Sequence, residues 1–180
     1  MKNGLVLIDI QNDYFPGGNM ELVGIEKAAT NAQKILQKFR DRKAPIFHIQ
    51  HISNDPQAPF MIPDTDGVKI NEKVMAKPGE LIIEKHFPNS FRDTSLLKQL
   101  KDRKIEELVI CGAMSHMCID TSVRAAFDLG FSCTVIEDAC ATLDLKYKGE
   151  VIEASKVHAA FMSALSFPFA KVVSTNTYLR

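Results

Sequence analysis

The sequence predicts an α/β fold, a mostly parallel sheet of six strands with helices on both faces. Two observations carry this. Short apolar runs alternate along the whole chain with longer segments of helical periodicity. The runs are also continuous and rich in branched residues, as in strands covered on both sides, rather than alternating apolar and polar. Right-handed crossovers between parallel strands then leave the sheet between two helical layers.

The elements follow in order. Gly4–Asp9 is an apolar run ending in an acid, the first strand. Ile25, Ala28, Ala29, Ala32, Ile35, Leu36 and Phe39 mark one face of an amphipathic helix. Ala44–Ile52 and Glu80–Glu84 are the second and third strands. Leu96, Leu97 and Leu100 belong to a helix that Asp93 or Thr94 caps. Ile105–Cys111 is the fourth strand, and Gly112 and Ala113 allow a sharp turn after it. A helix then runs from Met117 to Leu129 and closes at Gly130. Phe131–Ile136 is the fifth strand. Val151, Ala154, Ser155, His158, Phe161, Met162 and Leu165 form the apolar face of a last helix, His158 among them as a hydrogen-bonded core residue. Lys171–Ser174 is the sixth strand.

Ser53–Pro78 stands apart, a polar connection of a length that compact domains rarely leave idle. Asn54, Asp55, Pro56, Pro59, Pro63, Asp64 and Asp66 suit turns, while Phe60, Met61 and Ile62 are free to pack. The stretch reads equally as a lid, a subunit contact or a packed surface loop.

Composition narrows the function. The 180 residues suffice for one domain with a full core. Lys and Arg number 22, as do Asp and Glu, and the basic residues are dispersed, which leaves no footprint for nucleic acid or an anionic membrane. No apolar run is long enough to span a bilayer. Met1–Leu7 is too short for a signal peptide and reads as part of the first strand. Cys111, Cys118, Cys133 and Cys140 lack the spacing of a structural zinc site. The expectation is a cytoplasmic protein with free thiols, a small-molecule substrate and no cofactor.

In open α/β sheets, ligands bind beyond the carboxyl ends of the strands. There the first strand ends in Asp9, the third in Lys85, and the fourth leads to Cys118. Cys118 falls in or near a helix's first turn, where free N–H groups and the dipole favour a thiolate. Each residue has an ordinary explanation: Asp9 capping a turn with Asn12, Lys85 solvated, Cys118 a small buried hydrophobe. Together they supply a nucleophile, a proton acceptor and an ammonium that tunes the thiol.

Four blocks go further: DIQNDYFPGG (9–18), EKHFPNSF (84–91), GAMSHMC (112–118) followed by Thr121 and Arg124, and DACATLD (138–144). In order and spacing, from about Leu5 to Val173, the chain resembles the isochorismatase-like cysteine hydrolases. The resemblance implies a three-layer α/β/α sandwich around a six-stranded parallel sheet, an Asp9–Lys85–Cys118 triad, and a tendency to form homo-oligomers, for which the apolar segment 161–169 offers a surface. It also implies a non-proline cis peptide between Ala113 and Met114, which shapes an oxyanion hole completed by Cys118. In a sheet ordered 3-2-1-4-5-6, Lys85 must span two strand spacings, roughly 10 Å, to reach Asp9.

The departures from the family also count. Nicotinamidases carry an Asp-x-His metal motif after the second strand; here HIQHIS supplies His48, Gln50 and His51 without that aspartate. Two histidines three apart in a strand face opposite ways, so no metal is expected. Members that hydrolyse vinyl ethers lack the cysteine, so Cys118 favours covalent attack on a small amide, ureide or related C–N bond. The alternatives are vinyl ether hydrolysis with Arg92 or Arg124 clamping a carboxylate, a metal-dependent nicotinamidase, and a non-catalytic scaffold. Phe15, Phe60, Phe87 and Phe91 are candidate pocket walls, with Asn12, Gln50, His51 and His116 as polar contacts. Cys140, after the fifth strand, is placed to be oxidised with Cys118 or to remain an inert thiol.

Overall fold

The structure, a computed structural model, describes residues 2–55 and 57–180. Met1, at the start of the expected first strand, and Pro56, one of the expected turn residues, lie outside the described residues. The strands of the main sheet are β1 (Asn3–Ile8), β2 (Ile46–His51), β3 (Leu81–Lys85), β4 (Glu107–Ala113), β5 (Ser132–Ala141) and β8 (Lys171–Val173). They are all parallel, in the order β3-β2-β1-β4-β5-β8, so the expected six-stranded parallel sheet and its strand order are both present. The order reverses between β1 and β4, and their carboxyl ends open the crevice where such sheets bind ligands.

The helices are α1 (Ile25–Asp41), α2 (Leu96–Asp102), α3 (Asp120–Asp128), α4 (Ala154–Leu165) and α5 (Thr175–Leu179). All seven apolar residues expected on the face of α1 are buried against the sheet. That stripe is the main cause of the helix, because its N-cap, Gly24, offers no side-chain cap. In α2 the cap position is Ser95, yet Thr94 Oγ1 accepts from the Leu96 N–H at 3.3 Å, as one of the two expected caps. Gly130 closes the segment after α3 with φ of 89°, its N–H bonded to the Phe127 carbonyl.

Four local expectations need correction. Residues 145–152 form a hairpin, β6 (Leu145–Tyr147) and β7 (Glu150–Ile152), turned at Lys148 and Gly149 with positive φ at both. Val151 is therefore an exposed strand residue and not the start of the last helix, and Ser155 is exposed too. The fifth strand runs on to Ala141, because a register shift between Ile110 and Gly112 lets β4 and β5 continue pairing past the bulge. After Val173, Ser174 caps the short helix α5 through its hydroxyl, which accepts from the Thr177 N–H. Finally, Ser115–Ile119 is a π-type turn, so α3 starts at Asp120 and not at Met117, and Cys118 lies near its first turn as expected. Of segment 161–169, Met162 and Leu165 are core residues and Phe167 is exposed.

The long connection is a packed loop. Asp13, fully buried, accepts from the Met61 N–H through Oδ2 (2.6 Å) and from the Asn19 N–H through Oδ1 (3.2 Å), while its own N–H donates to the Gly67 carbonyl. A side chain on Gly67 would collide with the Asp13 carboxylate, so only glycine fits there. Asn12 and Asn71 add a side-chain bond of 2.9 Å between the same two segments.

Candidate active site

Asp9 follows β1 with a φ of 52°, a left-handed backbone that Asp tolerates better than most side chains. Its N–H is bonded to the Ile49 carbonyl, and its side chain is fully buried. Next to it, β4 carries Gly112 opposite Ile8, where any Cβ would strike the Ile8 carbonyl oxygen. This close approach brings the β4 end, and with it the Ser115–Ile119 turn, beside Asp9. The Ala113–Met114 peptide is cis, at the position the resemblance implies.

Lys85 closes the distance from the far side. It ends β3, in register with His51 of β2, and its side chain runs past β2 to Asp9. Nζ lies 2.7 Å from Asp9 Oδ2 as an ion pair, 3.3 Å from Cys118 Sγ and 2.8 Å from His51 Nδ1. Lys85 is 0% exposed and Cys118 4%. The loop beyond Lys85 is tied to α3, where Ser122 Oγ accepts from the Ser90 N–H and donates to Ser90 Oγ. Asp9, Lys85 and Cys118 thus converge as expected, and His51 joins them.

The charges follow from burial. Lys85 is disfavoured as an ammonium by desolvation, but Asp9 and Cys118 outweigh this and hold its pKa above the ordinary lysine value. Desolvation pushes the Cys118 thiol up, Asp9 adds to the rise, and Lys85 pulls it down without prevailing. The expected lowering of the thiol pKa is therefore corrected: one ammonium faces two groups able to carry negative charge, and the second charge is unfavourable. The resting site is a thiol beside a carboxylate. Asp9 Oδ1, buried and without a hydrogen-bond partner among the described residues, is the free acceptor.

His51 is neutral. Burial lowers its pKa, and the Lys85 ammonium lowers it further, against the pull of Asp9, to about 4. Gln11, fully buried, grips the His51 backbone at both ends, its Oε1 accepting from the N–H and its Nε2 donating to the carbonyl, each at 2.8 Å. Asp9, His51 and Cys118 are, among the described residues, a group whose potential metal-binding atoms lie within 4.8 Å of one another. The Lys85 ammonium sits within 3.3 Å of an atom of each, where a metal cation would meet its charge.

The other pocket candidates have the following surroundings. Asn12 and Gln50 spend their amides on the connection, donating to the carbonyls of Asp66 and Val68. Phe15 is core, and with Asn12 it lines a cavity of about 600 Å³ between residues 12–19 and 66–75 that does not include the cluster. Phe60 packs on Tyr14, Phe91 on Phe131, and Phe87 lies under the Arg92 guanidinium at 3.6 Å. His116 is bonded through Nδ1 to Thr142 Oγ1 at 2.6 Å. His158 is held by Ser115 Oγ at 2.8 Å, bracing the cysteine turn from α4. Cys140 is turned on the Ile136 carbonyl, and all four cysteines are free. Sequence reasoning missed Gln11 and Tyr14. Burial raises the Tyr14 pKa first, and Asp9 and Cys118 raise it further. Both lie in the DIQNDYFPGG block, the one signal that pointed to them.

A parallel sheet covered on both faces, with an acid, an ammonium and a thiol gathered at its carboxyl edge, defines a Rossmann-like α/β/α protein with a buried polar cluster at the ligand-binding end of its sheet. The model of the isochorismatase domain matches residues 3–177. The uncharacterized isochorismatase family protein YddQ of Bacillus subtilis is 49% identical over 180 residues, the whole of both chains. A solved structure of a protein described as an isochorismatase hydrolase, from Oleispira antarctica, superposes with a TM-score of 0.95 at 51% identity, covering 99% of this chain and 96% of that one. This chain belongs to the isochorismatase family of hydrolases. More distant relatives include streptothricin hydrolase of Streptomyces noursei, 29% identical over 78% of this chain and 50% of its own length. Nicotinamidase 3 of Arabidopsis thaliana is 24% identical over 98% and 86%. N-carbamoylsarcosine amidase of Thermoplasma acidophilum shares the fold, with a TM-score of 0.83 at 21% identity over 98% of both chains. No helix among the described residues is long and apolar enough to cross a membrane.

Proposed function

We propose that this chain is a cysteine amidohydrolase that cleaves a small amide, ureide or related C–N bond through a thioester on Cys118. The observation that carries this reading is the buried cluster itself, with Lys85 Nζ between Asp9 and Cys118 and a free carboxylate oxygen on Asp9. Nothing in packing alone requires an acid, an amine and a thiol to converge in a buried site. As Sγ attacks the substrate carbonyl, its proton passes to Asp9, and Lys85 balances the charge carried by sulfur. The N–H groups of Met114 and Cys118 hold the oxyanion. Asp9 then protonates the departing nitrogen and the C–N bond breaks, leaving the acyl group on sulfur. Asp9 next takes a proton from water, whose oxygen attacks the thioester carbonyl; the C–S bond breaks, the acid is released, and Asp9 returns the proton to the Cys118 sulfur.

The relatives named for their hydrolytic activities include an amidase and a nicotinamidase, which supports C–N cleavage as the chemical class. The vinyl ether alternative is weaker, because its cationic clamp is missing from the site. Arg124 is bonded to both Asp120 oxygens and lies over Phe169, and Arg92 is exposed on Phe87. The nicotinamidase alternative needs His51 on a metal, and its Nδ1 is engaged by Lys85. Turnover of a panel of small amides and ureides, alongside isochorismate, tests the proposal. Cys118→Ala is expected to abolish amide turnover, and an acyl mass on Cys118 is expected in wild-type protein quenched during turnover. Amide turnover that survives Cys118→Ala would overturn it.

A further inference from the structure

His51 is half-buried, and its two ring nitrogens have different surroundings. Nδ1 faces the Lys85 ammonium at 2.8 Å. An ammonium only donates, so Nδ1 must accept, and the proton of the neutral ring is on Nε2. Among the described residues Nε2 has no hydrogen-bond partner. The Nδ1 end is engaged by a lysine that is wholly buried, which leaves Nε2–H as the ring's unengaged donor. A ring nitrogen lies within 4.8 Å of Cys118 Sγ. Gln11 fixes the His51 backbone on both sides, so this donor is held in place before anything binds.

We propose that His51 sets substrate choice at this site: its Nε2–H donates a hydrogen bond to an acceptor atom flanking the carbon that Cys118 attacks. The inference rests on the reading of Cys118 as the nucleophile. It assigns the substrate a second polar function beside the scissile carbonyl, an acceptor such as a further carbonyl or a carboxylate oxygen. Two substitutions separate this role from a merely structural one. His51→Asn keeps an acceptor near Nδ1 for Lys85 and has nothing at the Nε2 position. His51→Gln places an amide donor near Nε2.

Two probes that differ in one feature read the effect on full-length protein. Iodoacetamide carries a carbonyl acceptor beside the carbon attacked; iodoethane does not. The ratio of their Cys118 alkylation rates is expected to fall about tenfold in His51→Asn, the worth of one ordinary hydrogen bond, and to recover in His51→Gln. The iodoethane rate reports any change in the reactivity of Cys118 itself, so the ratio carries the effect of the lost donor. An unchanged ratio, or an equal fall of both rates, would overturn the proposal. Nitrogen-15 spectra of the histidines, assigned by loss of the His51 signal in the Asn variant, are expected to show Nε2 protonated and Nδ1 bare at pH 7. The opposite tautomer or an imidazolium would also overturn it. If wild-type Cys118 reacts with neither probe while the tautomer is as expected, the nucleophile assignment is what fails.

Discussion

The molecule holds two clusters of a carboxylate, a cation and a histidine, and they are built differently. In one, Glu80, just before β3, accepts from Arg40 Nε at 2.6 Å, Arg40 Nη2 at 2.9 Å, the Lys77 N–H at 2.9 Å and His48 Nε2 at 2.9 Å. Burial opposes its charge, but the hydrogen bonds from Arg40, Lys77 and His48 outweigh this and hold its pKa at about 2. Its one orphan is His48 Nδ1, an uncharged nitrogen. In the other, Asp9 has an ion pair with Lys85 and a buried oxygen with no hydrogen-bond partner. The first cluster gives its carboxylate four hydrogen bonds and pins α1 to β2 and β3. The second leaves a carboxylate oxygen unsatisfied beside a thiol, which costs stability and is retained where chemistry uses it. A carboxylate met by four hydrogen bonds serves the scaffold, and one left unmet beside a thiol stands at the candidate site.

The contrast breaks most sharply under substitution. Asp9→Asn is expected to lower amide turnover by about 10³-fold, within the range for losing a general base. Asp9→Asn/Lys85→Met, which removes both charges together, is expected to be inactive yet to melt no lower than wild type, as replaced buried pairs often do. Glu80→Gln should do the reverse. It leaves turnover near wild type and lowers stability by about 2–3 kcal/mol in urea titrations, because Arg40 is left without its charge partner.

A smaller effect is expected from pH. His51 titrates near 4 when folded and near 6.5 when unfolded, so between those values only the unfolded chain binds the proton. Stability is then expected to fall as pH drops from about 6.5 towards 4. His48, His116 and His158 are lowered by burial and act in the same sense. Glu80 extends the decline below its ordinary 4.5 towards 2. His51→Asn should flatten the slope between pH 4 and 6.5 by up to about 1.4 kcal/mol per pH unit, read from urea midpoints across that range.

Much of this was legible in the sequence because it is carried by local pattern. The α1 stripe, the six apolar runs and the polar residues at three strand ends are all periodic or positional signals. The hairpin at 145–152 was less legible because Val151 and Ile152 are apolar and abut a helix, so they read as its first turn. The Lys148–Gly149 pair was the available sign of a turn. The grip of Gln11 on His51 joins residues 40 apart through one side chain, and that of Asp13 on Met61 joins residues 48 apart. Such contacts leave no periodic trace in the chain. The resting charge of Cys118 was misread for a related reason. A nearby lysine is visible in sequence, but burial and the competing carboxylate emerge only from the assembled site.

Reactivity order among the four cysteines tests the central claim most directly. All four are buried, and burial pushes the pKa of each up. Cys118 differs in having an ammonium at 3.3 Å and a carboxylate able to take its proton. Limited alkylation with iodoacetamide at pH 7.5, mapped by peptide mass, is expected to label Cys118 first, about tenfold ahead of the rest. Labelling that begins at Cys111, Cys133 or Cys140, or proceeds equally slowly at all four, would contradict the account.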